Sequence, residues 1–309
     1  MRDRLASRIG ADVVEDVPLR EHTTLRIGGP ARYFCEVTDA VQLAAALGAA
    51  RDEGVERLLL GGGSNLLVLD GGFDGLVVAN RIRGFEGDGS RVKVAAGESY
   101  HGLVERLADE GLAGLGFAAG VPGSVGGAVF GNAGCYGRAI GDLLDQVILV
   151  DPDGSGRRAV PPEELALAYR TSALQTSGAV VEAITLRLER GDPDALRTEI
   201  ADNLAVRETK HPIDIPSAGS YFKNLPPQEQ GGRRMAAGLL LDQVGCKCLT
   251  VGGAAVFDRH ANIIINRGGA SAEDVLALAD EMKRRVLGRF GVRLEEEVRQ
   301  VGIRGSKGR

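Results

Sequence analysis

The sequence predicts an α+β protein of more than one domain, and three observations carry that prediction. At 309 residues the chain exceeds what a single hydrophobic core ordinarily serves. Short β-rich runs are separated by helical patterns at irregular intervals, so the regular strand–helix alternation of a doubly wound sheet is missing. Glycine is abundant, at 45 residues, and is gathered into loops with no low-complexity tract.

The elements follow in order. ARYFCEV (31–37) reads as a strand. TDAVQLAAALGAARDEG (38–54) is a helix with Thr38 or Asp39 as cap and a glycine stop. RLLLGGGSNLLV (57–68) runs strand, glycine turn and further apolar chain, and GLVVAN (75–80) is another strand. RVKVAAG alternates as a half-buried strand does. SYHGLVERLADEGL (99–112) is an amphipathic helix leading into GFAAGVPGSVGGAVFGNAGCYG (116–137). QVILVDPDGSGRRAV (146–160) is a hairpin turning on Asp-Pro-Asp-Gly, and AVVEAITLRLE (179–189) is an apolar strand. Residues 192–212 form a helix with Pro193 near its start and Pro212 at its end. A third block holds a helix in MAAGLLLDQVG, strands in GAAVFDRHANIIIN, and a long helix from Ser271, whose spacing to Asp274 resembles a capping box. VRLEEEVRQVG (292–302) reads as a strand with Leu294 and Val298 inward.

Composition excludes several classes. A net charge of −5 argues against non-specific nucleic-acid binding, which needs a basic surface. No apolar run approaches a membrane span, and the N-terminus has no apolar core of a signal peptide, so a cytoplasmic protein is expected. Cys35, Cys135, Cys246 and Cys248 are scattered, and Cys246-x-Cys248 lacks zinc or redox spacing. The histidines (His22, His101, His211, His260) show no paired-ligand spacing, so no metal is expected.

Two glycine loops remain to be explained, LGGGSNLLV (60–68) and GVPGSVGGAVFGNAG (120–134). Bare N–H groups in such loops can face an anion with no Cβ in the way. Neither loop is a P-loop or a GxGxxG fingerprint. Two loops can embrace a diphosphate from two sides, with Ser64, Asn65, Ser124 and Asn132 as donors. The plainer alternative is close backbone packing around glycine corners.

Together the loops carry a resemblance. LRIGGPA (25–31), LGGGSNLLV and GVPGSVGGAVFGNAGCYG resemble the FAD-binding domain of the UDP-N-acetylenolpyruvoylglucosamine reductases of peptidoglycan synthesis, the MurB family. AYRTSAL (168–174), GSYFKN (219–224) with GGAAVFDRHANIIIN (252–266), and LEEEVRQVG (294–302) extend it over nearly the whole chain. The resemblance implies a PCMH-type (vanillyl-alcohol-oxidase-like) FAD domain over 1–191, with subdomains at about 20–80 and 81–191. A linking helix at 192–210 and a smaller α/β substrate domain at 211–309 would follow. Gly61, Gly62, Gly63, Ser64, Asn65, Gly120, Pro122, Gly123, Ser124, Gly126, Gly127, Asn132 and Gly134 would then lie along non-covalent FAD. NADPH would be the co-substrate, a UDP-sugar enolpyruvyl ether the substrate, and a monomer the working form.

The reaction so implied reduces an enolpyruvyl ether to a lactyl ether. It needs a cation for the substrate carboxylate, a second polarising group and a proton donor. Ser220 matches the family's proton donor, although a serine after glycine is by itself usually a cap or turn residue. Arg170 matches the arginine that grips the carboxylate bidentately, against the plainer reading of a surface strand arginine. Glu297 matches the acidic partner near the enolate. Alternation gives Glu295 the same face and turns Glu296 away, although a charge run is usually solvated surface. Lys223, Asn224, Tyr169 and Arg299 match substrate contacts, where solvated side chains are the alternative. His260 reads as a hydrogen-bonded structural residue.

The chain departs from the family pattern in three places. Leu225 is inserted before Pro226, a serine often found near Phe257 or Asp258 is missing, and no insertion separates the hairpin at 151 from the strand at 180. The last resembles the compact type II branch, which lacks a tyrosine-bearing closing loop. Competing classes are another PCMH-type oxidase or dehydrogenase, and a non-catalytic binding protein. Neither accounts for Arg170, Ser220 and Glu297 together.

Overall fold

The computed structural model describes residues 1–227, 229 and 232–303, which divide into two units. One unit comprises Met1–Val17, Arg32–Gly62 and Gly75–Val206. The other comprises Pro18–Ala31, Gly63–Asp74 and the chain from Arg207 onward. Residues 18–31 and 63–74, expected within the first domain, therefore group with the C-terminal portion, and the loop at 60–68 is divided after Gly62.

The first unit has a four-stranded and a five-stranded sheet, each with its own core, besides two short two-stranded pairings. One orders Val13–Pro18, Pro30–Val37, Phe73–Asn80 and Arg57–Leu60. Helices Arg2–Ile9 and Ala40–Asp52 close it, packing Leu5, Ile9, Leu43 and Leu47 with Tyr33, Val37, Leu76 and Val78. Asp39 caps the second helix, its carboxylate accepting the Gln42 N–H at 2.8 Å. The first helix is absent from the sequence reading. Its buried residues are Leu5 and Ile9, one turn apart and too few to establish a period.

The other sheet is antiparallel, ordered Arg157–Val160, Leu144–Val150, Val180–Arg187, Arg91–Ala95 and Phe85–Asp88. Val180–Arg187 lies at its centre and is buried on both faces, which accounts for its unbroken apolar run. Arg91–Ala95 alternates, with Val92 and Val94 inward. Helix Tyr100–Asp109, capped by Ser99 on the Gly102 N–H at 3.1 Å, lays Leu103, Val104 and Leu107 onto this core.

In the second unit, Ser217–Ser220, Ile263–Asn266, Ala254–Val256 and Thr250–Val251 form an antiparallel sheet. Helices Ala237–Gln243 and Ala272–Phe290 contribute Leu240, Leu241, Val275, Leu278 and Met282 to its core. The expected capping box is present. Ser271 Oγ accepts the Asp274 N–H at 3.0 Å, and Asp274 accepts the Ser271 N–H at 3.1 Å. The strand expected over 292–302 is reduced to Arg299–Val301, which runs parallel to Leu66–Val68. Leu294 and Val298 are buried as expected. The shortening arises because 295–297 bonds irregularly to the chain after Ser220 and forms no continuous ladder there.

Candidate active site

In the first unit the two glycine loops meet backbone to backbone. A Cβ at Gly62 would lie 2.6 Å from Gly123 Cα and 3.2 Å from Ser124 N, and one at Gly61 would strike Ser124 Oγ. A Cβ at Gly126 would lie 2.9 Å from the Ala96 Cβ, and one at Gly134 would strike the Arg138 carbonyl. Gly120 and Gly123 have φ of 71° and 119°, a region that strongly favours glycine. Close chain-to-chain approach is thus one reason for the glycines.

A short helix, Val125–Phe130, sits inside this stretch, and the sequence reading missed it. Two of its six residues are glycine, so propensity alone would not form it. It is held by its Ser124 cap and by backbone bonds from Val125 to Glu98 and from Gly126 to Ala96. The surroundings suit a diphosphate. No acidic side chain occurs in residues 116–137 or 60–69, and what the loops present is backbone N–H and uncharged side chains.

Replacing Gly62 with Ala is expected to force the two loop backbones apart. A cost of about 1–3 kcal/mol follows from such overpacking, with a lower thermal midpoint and a lower ratio of flavin to protein absorbance after purification. A wild-type ratio in a protein of unchanged midpoint would refute the close approach.

Arg170 occupies a tight turn. Ala168 and Thr171 bond each other in both directions, at 3.1 and 3.2 Å, and Arg170 between them has φ of 57°. Its guanidinium lies 5.3 Å from the Tyr169 ring centroid. The turn is tied down from several sides. Asn132 Nδ2 donates to the Ala168 carbonyl at 3.0 Å, and Gln175 Nε2 donates to the Arg170 carbonyl at 3.1 Å. Ser172 Oγ donates to the Phe130 carbonyl at 2.7 Å. Asn132, expected along the cofactor, therefore also supports the arginine turn. Gln175 was absent from the sequence reading and Ser172 entered it only within AYRTSAL with no role, because hydrogen bonds of this range leave no local pattern.

In the second unit, Ser220 ends its strand opposite Ile263, after a register irregularity at 217–220. Gly219 within it has φ of 74°, and such bulges re-aim the following side chain. The next residue brings the glutamates alongside. The Tyr221 carbonyl accepts the Glu297 N–H at 2.8 Å, and the Lys223 N–H donates to the Glu295 carbonyl at 2.8 Å. Asn65 fastens the same segment, its Nδ2 donating to the Glu297 carbonyl at 3.1 Å and its own carbonyl accepting the Arg299 N–H at 3.1 Å.

The three glutamates are sorted by their neighbours. Glu296 pairs with Lys283 on the long helix at 2.9 Å, and Glu295 pairs with Lys223, so the two carboxylates have different partners. Lys223 is engaged by that pair. Asn224 Oδ1 accepts the Ala237 N–H at 3.2 Å at the start of a helix. His260 Nδ1 accepts the Asn262 N–H at 3.2 Å, and burial holds the His260 pKa below its ordinary value. His211, with its ring 5.5 Å from that of His260, is pushed down to about 4, chiefly by burial and then by Arg207. Among the described residues no cluster of three or more His, Cys, Asp or Glu is arranged to hold a metal ion.

The profile of the UDP-N-acetylenolpyruvoylglucosamine reductase C-terminal domain matches residues 211–301, and an FAD binding domain profile matches residues 31–159. A UDP-N-acetylenolpyruvoylglucosamine reductase of Heliobacterium modesticaldum is 40% identical over 297 residues, covering 95% of this chain and 92% of the relative. One of Moorella thermoacetica is 41% identical over 295 residues, covering 95% of each. The crystal structure of the Thermus caldophilus reductase (MurB) superposes with a TM-score of 0.78 at 34% identity, covering 94% of this chain and 98% of that one.

Proposed function

Since the chain belongs to the UDP-N-acetylenolpyruvoylglucosamine reductase family, we propose that Arg170, Ser220 and Glu297 are the residues through which it works. It is an FAD- and NADPH-dependent oxidoreductase of peptidoglycan precursor synthesis, reducing the enolpyruvyl ether of UDP-N-acetylglucosamine to the lactyl ether. The fold is the α+β arrangement expected, an FAD-binding domain followed by the family's C-terminal domain.

FAD, held between the glycine loops around Gly62 and Gly123, would supply the hydride chemistry, with NADPH as the source and the distal vinyl carbon of the substrate as the acceptor. The rest falls to side chains. As the hydride arrives, the electron pair of the double bond moves into the carboxylate, making an enediolate. Arg170 meets that charge with two parallel N–H groups. Glu297 is the second polar group set beside the developing charge. Ser220 gives its hydroxyl proton to the carbon that bears the ether oxygen and regains one from solvent. NADPH and one proton are consumed, and NADP and the lactyl ether are formed.

The observation that supports this reading best is the bond between the Glu297 N–H and the carbonyl of Tyr221, the residue after Ser220. It brings the backbone of Glu297 alongside that of the residue next to Ser220. We further propose that Gly61, Gly62, Gly63, Ser64, Gly120, Pro122, Gly123, Ser124, Gly126, Gly127 and Gly134 line non-covalent FAD. Tyr169, Lys223, Asn224 and Arg299 are proposed to contact the nucleotide-sugar. An NADPH supply and a UDP-sugar substrate favour a cytoplasmic site of action. Among the described residues no helix is long and apolar enough to cross a membrane.

The test is spectral. Purified protein should be yellow, bleach anaerobically with NADPH, and recover its flavin bands when the enolpyruvyl substrate is added. Recovery with oxygen alone would make it an oxidase, and protein that takes up no FAD would refute the reading of the glycine loops.

A further inference from the structure

We propose that Asn262 is the residue that positions Ser220 for proton transfer, a role that rests on Ser220 being the donor. Asn262 is 2% exposed, and it spends both ends of its amide on one neighbour. Oδ1 accepts the Phe222 N–H at 2.9 Å, and Nδ2 donates to the Phe222 carbonyl at 2.8 Å. Its own backbone carbonyl accepts the Tyr221 N–H at 2.8 Å. Three hydrogen bonds therefore fix the two residues directly after Ser220.

The arrangement substitutes for a ladder that has ended. Ser220 pairs with Ile263 in the sheet, and beyond that register the backbone of the turn at Asn262 can no longer match both groups of Phe222. The side-chain amide offers one donor and one acceptor in a plane, which is what one residue of a partner strand would offer. Across the segment, the Tyr221 carbonyl accepts the Glu297 N–H and the Lys223 N–H reaches the Glu295 carbonyl. Tyr221 and Phe222 are 1% and 0% exposed, so their side chains anchor the segment inside the core.

Asn262 thus holds one edge of residues 221–222 while the Glu297 segment holds the other. Slackening that edge displaces Ser220 and loosens Glu297 together. Proton delivery to a single carbon is sensitive to such displacement, since a shift of about 1 Å at a reacting group costs on the order of 100-fold in rate. NADPH oxidation by FAD requires no proton from Ser220, so that step serves as an internal control.

The experiment uses the full-length, FAD-loaded Asn262→Ala variant, with Asn262→Asp as a near-isosteric second variant should the alanine variant fold poorly. In anaerobic stopped-flow, flavin reduction by NADPH should stay within about threefold of wild type per bound flavin, while reoxidation by the enolpyruvyl substrate slows about 10- to 100-fold. The solvent isotope effect on reoxidation should rise. In a Ser220→Ala background, adding Asn262→Ala should slow reoxidation by less than about threefold further, because two residues acting through one step are not additive. Equal losses in both half-reactions, or a full second loss in that background, would overturn this proposal alone. A Ser220→Ala enzyme reoxidised at the wild-type rate would overturn the assignment of Ser220 and this proposal with it.

Discussion

Ser220→Ala yields a yellow, folded protein that NADPH bleaches at close to the wild-type rate and that substrate reoxidises about 1,000-fold more slowly. The magnitude is that of a positioned general acid, for which removal costs about 100- to 10,000-fold. The substitution deletes one oxygen at a partly buried strand end. Backbone bonds around it, from Tyr221 to Asn262 and from Glu297 to Tyr221, do not involve the hydroxyl. The thermal midpoint should accordingly hold to within about 4 °C, as for a change below about 1 kcal/mol in a protein of this size. Loss confined to reoxidation separates the proton donor from a structural serine, which would lower both half-reactions through the folded fraction. Reoxidation at the wild-type rate would transfer the donor's role to a water or to another side chain.

The sequence made the loops and the glutamate register legible for a physical reason in each case. Glycine at position 62 is demanded by the backbone of Gly123, and at 61 and 126 by the side chains of Ser124 and Ala96, so the need is written in composition. Glu297 was singled out by its match to the family motif, and alternation of extended chain then set Glu296 on the face of Leu294 and Val298. Glu296 duly faces Lys283 while Leu294 and Val298 are buried. The helix at 125–130 was illegible because its residues do not favour it, and the interactions that form it come from Glu98 and Ala96. The hydrogen bonds of Asn132 to Ala168 and of Asn262 to Phe222 carried no signal either. These partners lie 36 and 40 residues away, and an asparagine beside glycine or alanine looks like any turn residue. The grouping of 18–31 and 63–74 with the C-terminal unit is non-local in the same way.

Arg170 gives the second large effect, and its value lies in moving stability and activity differently. A turn with positive φ at its third residue ordinarily takes glycine or asparagine there, whereas this chain puts arginine at φ 57°. Left-handed backbone costs a residue with a Cβ about 1–2 kcal/mol. Asn132, Gln175 and Ser172 hold the surrounding chain in place, as a strained site requires.

Arg170→Gly relieves that strain. It loses about 0.5–1 kcal/mol to glycine's greater unfolded entropy and a similar amount from the contact with the Tyr169 ring. The two sides nearly cancel, so the midpoint should stay within about 4 °C of wild type. Turnover should nonetheless fall by about 100- to 1,000-fold, the cost of removing an oriented donor from a developing oxyanion, with the loss in reoxidation and not in flavin reduction. Arg170→Ala keeps the unfavourable φ and loses the side chain, so it should be the less stable of the two variants at equal loss of activity. Arg170→Lys retains charge without the paired N–H geometry and should fall between wild type and glycine. A glycine variant turning over within tenfold of wild type would leave the strained arginine without a catalytic reason. A glycine variant that is stable and inactive would mean that the chain tolerates an unfavourable backbone at this position for the sake of the guanidinium.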